Sequence, residues 1–239
     1  MTNGASKETA TAMRSENLLI AATMPGLTTP CVEAARRLIQ NAGYEVLLFD
    51  PTGSGGQRME SVIRAGNTSG VLDLTTTELA NELVGGTLSA GRDRLTAAAI
   101  KGVPQVISLG ALDKVTFGTR DTLPEKFRGR RYYQESPGVT LLRTTPEEND
   151  KLGKEIAEKA SAARGPTAIL IPLKGISTLD ALGQAFWWPE ADAALFQSLR
   201  NWMSPHVELI ELDLHINDPA FTEAAADKLL SMMPLIPRP

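Results

Sequence analysis

Residues 44–66, YEVLLFDPTGSGGQRMESVIRAG, constrain the fold more than any other stretch of this chain. Val46, Leu47, Leu48 and Phe49 form an unbroken apolar run suited to a buried strand. A turn-rich loop with Gly53, Gly55 and Gly56 follows, and Met59, Val62 and Ile63 then recur at helical spacing up to Gly66. A strand that ends in glycines and opens a helix is how α/β proteins build an anion site. The helix start leaves N–H groups unpaired and carries partial positive charge, and glycines let an anion approach the backbone. Gly-Ser-Gly-Gly is neither the dinucleotide fingerprint nor the P-loop. Thr52, Gly53, Ser54, Gly55 and Gly56 are therefore candidates to hold an anionic group, and a tight turn would use the same glycines.

Alternation of this kind runs along the chain. Apolar runs at residues 18–22, 70–74, 103–109, 139–143, 167–171 and 207–214 read as strands, separated by segments of helical spacing. Helix starts are signalled by Thr29 before Pro30, Thr75 with Glu78, Thr145 with Glu148 around Pro146, Pro189, and Asn217 or Asp218 before Pro219. A helix is also expected over residues 93–101. Strand–helix alternation implies an α/β fold with a doubly wound, mostly parallel sheet and helices on both faces. The expected layout is a polar, disordered tail over residues 1–17, a single domain over 18–233 and a short tail over 234–239. Residues 110–138 match neither period, and a connection that long is usually functional or flexible.

Composition narrows the function. Of 239 residues, 42% are hydrophobic and 22% charged, net charge is −4 and mean hydropathy is −0.11, an ordinary globular balance. That acidity argues against nucleic acid or an anionic membrane as partner. No apolar run approaches the ~20 residues needed to cross a bilayer, and the start of the chain lacks a secretory apolar core, so a cytoplasmic protein is expected. One cysteine, Cys31, excludes an internal disulfide and reads as a small buried hydrophobe. Two histidines and one cysteine make a zinc site difficult and leave magnesium on carboxylates open.

In doubly wound sheets, ligands bind beyond the carboxyl ends of the strands. The polar residues expected there give further candidates. Thr76 and Asn217 are placed to bond a ligand, and Arg143 at a strand end is placed to clamp a carboxylate or phosphate. Asp73 and Asp113 suit a metal or acid–base work, and His215 is the one histidine at that edge. Helix capping, loop bonding and ion pairing account for the same residue types. No Ser-His-Asp order or nucleophile elbow is present.

The phrases TTPCVEAARRLIQNAGYEVLLFDPTGSGGQRME, GVLDLTTTELANELVGG, GVPQVISLGALDKVTFG, LLRTTPEEN and LHINDPAF together resemble the tomato mosaic virus resistance protein family. The resemblance covers residues 18 to about 230. It implies a Rossmann-like domain and ATP binding, with no established reaction. Members have two such halves, and this chain resembles the second, so it is expected to work as a homo-oligomer or with a separately encoded first half. The leading expectation is a ligand-binding domain or subunit holding a nucleotide or small anionic metabolite at Gly53–Gly56. The alternatives are a hydrolase or lyase acting on a carboxylated metabolite through Asp73, Asp113 or His215, and a protein-interaction domain of the kind the resistance protein uses against a viral replication protein.

Overall fold

The computed structural model describes residues 18–24 and 30–234, with the side chains of residues 30–32 outside that description. The expected tail over 1–17, Thr28 and the cap Thr29, the Cys31 side chain and all of the C-terminal tail except Pro234 lie outside the described residues.

Six strands form one parallel sheet: β1 (Leu19–Thr23), β2 (Glu45–Leu48), β3 (Gly70–Thr75), β4 (Gln105–Gly110), β8 (Thr167–Pro172) and β9 (Glu208–Leu212). Their order is β2-β1-β3-β4-β8-β9, so the winding direction reverses between β1 and β3. The helices are α1 (Pro30–Asn41), α2 (Ser54–Ala65), α3 (Thr77–Val84), α4 (Ala97–Lys101), α5 (Pro146–Ser161), α6 (Pro189–Trp202) and α7 (Pro219–Met232). Period-two alternation assigns them to faces. Ile20, Ala22, Leu72, Val106 and Leu170 bury against α1 and α7. Ala21 and Val71 bury against α2 and α4, while Ile107 and Ile169 bury against α3, α5 and α6. The sheet is doubly wound, with helices on both faces.

The structure corrects several local expectations. Residues 110–138 are largely ordered: β5 (Lys114–Phe117) and β6 (Tyr132–Ser136) join β7 (Val139–Arg143) in an antiparallel sheet of order β5-β7-β6. β7 is the strand expected over 139–143, whereas β5 spans only four residues and β6 is exposed throughout, so no long buried apolar run announced those two. The helix expected from residue 93 begins at Ala97, because Leu95 takes a left-handed φ of 68° and the Glu60 carboxylate accepts from the Leu95 and Ala97 N–H groups. The Thr75–Glu78 capping box does not form: Thr76 precedes α3 without a side-chain cap, and Glu78 bonds elsewhere. The Thr145–Glu148 box does form, with Pro146 in the first turn.

Candidate functional site

The glycine loop closes on the protein's own anion. The N–H groups of Gly53 and Gly56 donate to Glu78 Oε1 at 2.8 and 3.0 Å. Glu78 is fully buried, and its other oxygen accepts from Arg94 Nε at 2.5 Å. Arg94, also fully buried, pairs with both oxygens of Asp73 and lies 3.5 Å from Glu60. Thr23 Oγ1 donates to Asp73 at 2.5 Å and accepts from the Thr75 N–H. Burial raises the Glu78 pKa, with Arg94 opposing the shift. Burial pulls the Arg94 pKa down, and Asp73 with Glu78 outweigh it and raise it above the usual arginine value. The glycines serve this packing. A Cβ on Gly55 would meet the Asp50 carbonyl at 1.8 Å, and one on Gly56 would meet the Glu78 carboxylate at 2.4 Å. The Ser54 N–H donates to Thr52, and Ser54 itself is exposed.

A second buried arginine accounts for two more candidates, Arg143 itself and Asp113. Arg143 is 1% exposed, so it cannot clamp a ligand at the edge. It donates to Phe186 O (2.8 Å), Thr144 Oγ1 (2.9 Å) and Asp192 (2.5 Å), with Asp180 at 3.5 Å, and so fastens the 173–188 connection to β7. Asp113 lies in the same charged cluster, fully buried. Its Oδ2 accepts from Ser177 Oγ at 2.6 Å and its Oδ1 has no protein partner. Burial raises its pKa against the pull of Arg143. Burial, then Asp192 and Asp113, push Asp180 up to about 8 despite Arg143. His215 bridges two loops: Nδ1 accepts from the Asn217 N–H, which leaves Nε2 as the donor to Ser177 O at 2.9 Å. Thr76 is buried and donates to Ser108 O.

Thr52 and Asn217 meet across a cavity of about 620 Å³ beside the point where the winding reverses. Its floor is apolar, with Met24, Pro51, Leu88 and Ile176. The small sheet is one wall. Alternation turns Val115 and Leu142 to the core, and Lys114, Thr116 and Leu141 line the cavity. Ala111, with a left-handed φ of 57°, lines it too, and its N–H donates to Ile176 O, tying the loops after β4 and β8 together. Two polar groups here stand out, one for its burial and one for its charge. Thr75 is 3% exposed and its Oγ1 has no partner among the described residues. Lys114 makes no ion pair among the described residues, and its ammonium acts on Asp113 only through space.

Sequence reasoning missed Lys114 and Arg94. Lys114 had a readable signal, the polar–apolar alternation of KVTF. Arg94 had none, because its partners come from residues 60, 73 and 78. A magnesium site does not fit these residues. Asp73 is spent on Arg94 and Thr23, and among the described residues no three His, Cys, Asp or Glu side chains are grouped to hold a metal. Nor is any helix among them long and apolar enough to cross a membrane.

Comparisons with known proteins place this geometry in a family. The chain is 48% identical over 231 residues to a UPF0261 protein of Clostridium tetani (strain Massachusetts / E88), covering 96% of the chain and 57% of that protein. It is 47% identical over 208 residues to a UPF0261 protein of Rhizobium meliloti (strain 1021), covering 86% and 52%. It is 41% identical over 217 residues to the ToMV resistance protein Tm-1(GCR237) of Solanum lycopersicum, covering 90% and 29%. The chain thus spans about half the length of these bacterial relatives. Residues 17–233 match the C-terminal domain of the uncharacterised protein family UPF0261, and the chain belongs to that family.

Proposed function

We propose that the chain is a ligand-binding α/β domain that holds a small anionic molecule in the cavity at the carboxyl edge of its parallel sheet. The observation that carries this reading is a buried hydroxyl left over beside the cavity: Thr75 Oγ1 has no partner among the described residues, and the nearby Lys114 ammonium makes no ion pair among them. A buried hydroxyl without a partner is costly and uncommon in native folds, and a ligand oxygen resolves it. The volume lies in the ordinary range for small-molecule sites. Binding is favoured over hydrolase or lyase chemistry because Asp73 and His215 are engaged inside the chain and Asp113 sits behind Ser177.

The interaction reading gains nothing from the tomato relatives. The ToMV resistance protein and the ToMV susceptible protein match this chain equally, at 41%. Association with a second copy or a separate first half draws support from Leu182 and Trp187, 78% and 43% exposed beside one groove, and light scattering at micromolar concentration tests it. The ligand reading is tested by thermal shift over nucleotides and small organic acids, with Thr178→Trp at the exposed cavity rim as control. A ligand that stabilises the wild type and not the folded variant supports it. A ligand equally effective on both places the site elsewhere.

A further inference from the structure

We infer that this cavity takes a hydroxylated monocarboxylate and excludes a nucleoside triphosphate, an inference that rests on the cavity being the ligand site. The charges decide it. Among the described lining residues there is one ammonium, Lys114, and two carboxylates, Asp50 and Glu135. A triphosphate carries several negative charges and needs a cradle of N–H groups, cations or a metal. The N–H groups of Gly53 and Gly56 are filled by Glu78, and Arg94 and Arg143 are buried among their own carboxylates. The residues present therefore do not fit the ATP that the family resemblance implies. A single carboxylate does fit, since one lysine matches one anionic group and the acidic rim repels further charge.

The body of the ligand follows from the remaining wall. Thr75 presents a buried hydroxyl with no partner among the described residues, and Thr52, Thr116 and Thr178 add hydroxyls around the apolar floor. Hydroxyl groups both donate and accept, so a ligand bearing several of them pairs with such a wall, whereas a plain hydrocarbon acid leaves Thr75 unpaired. Sites built to bond a hydroxyl discriminate strongly against analogues that lack it.

The test is calorimetry on the full chain with gluconate and quinate as hydroxylated monocarboxylates, sorbitol as a neutral polyol, citrate as a polyanion, and ATP with magnesium. Variants are Lys114→Met, which keeps the aliphatic stem, Thr75→Val, which keeps the shape, and Thr178→Trp, each first checked for a wild-type melting profile. The expected result is binding of gluconate or quinate, weakened at least about tenfold in Lys114→Met and roughly three- to tenfold in Thr75→Val, with sorbitol, citrate and ATP at least about tenfold weaker. Sorbitol or ATP binding as tightly, lost in Thr178→Trp, overturns the inference and leaves the cavity reading standing. Monocarboxylate affinity unchanged in Lys114→Met also overturns it. Silence across the whole panel overturns both.

Discussion

The glycine loop and the Lys114 cavity lie at one edge of one sheet and are both rich in polar residues, yet they differ in what remains unbonded. At the loop, Gly53, Gly56, Glu78, Arg94, Asp73 and Thr23 close into a network without outside help. In the cavity, Thr75 Oγ1 has no partner and Lys114 no counter-ion among the described residues. A buried polar network that is complete specifies structure, and one left incomplete has room for a ligand. Position at the carboxyl edge does not separate these cases; the count of bonds made does.

The harshest way to break the comparison is Arg94→Met. It leaves Asp73, Glu78 and Glu60 buried without their cation, and urea unfolding should show a loss of about 3–5 kcal/mol. A loss below about 1 kcal/mol would mean that the network carries little. Gly55→Val should also act on stability, by roughly 1–3 kcal/mol or more, because its Cβ runs into the Asp50 carbonyl. A folded Gly55→Val of wild-type stability that loses ligand would return the anion site to the loop.

The Arg143 region differs from both, with three carboxylates around one guanidinium. The folded pKa of Asp180, about 8, lies above its unfolded value of about 3.9. Its contribution to stability is therefore complete below pH 4, declines as pH rises, and is gone above about 8. Asp180→Asn imitates the protonated acid, so it should match wild type near pH 4 and exceed it increasingly as pH rises, by about 4–6 kcal/mol at pH 8.5. A difference that does not vary with pH would place the proton elsewhere.

The smallest effect sharpens the comparison most. Thr23→Val removes a hydroxyl with two partners and should cost about 1–2 kcal/mol, whereas Thr75→Val removes one with none and should stay within ~0.5 kcal/mol of wild type. Equal costs, measured by urea unfolding of ligand-free protein, would show that Thr75 is bonded after all.

Most of the fold was legible because apolar runs and caps are local signals. The strand expected at 44–49, the Thr145–Glu148 box and the helix opening at Pro189 needed only neighbouring residues, although that strand, β2, lies at the sheet edge half-exposed rather than buried, with Leu47 39% exposed. The small sheet was not legible beyond β7, since strand β6 is exposed along its length and carries no core pattern. Of the candidate cavity the sequence showed two lining residues and little detail. Thr52 and Asn217 do reach the cavity, but Arg143, Asp73 and Thr76 turn inward, because their partners lie tens of residues away and no spacing rule reports them. Lys114 waited on the sheet that turns it toward the cavity.

Amide hydrogen exchange, with and without the monocarboxylate that stabilises the chain most, tests the central claim directly. The ligand should slow exchange at residues 111–116 and 176–178 and leave the Gly53 and Gly56 amides, already bonded to Glu78, unchanged. Slowing confined to residues 53–57, with 111–116 unaffected, would contradict the account.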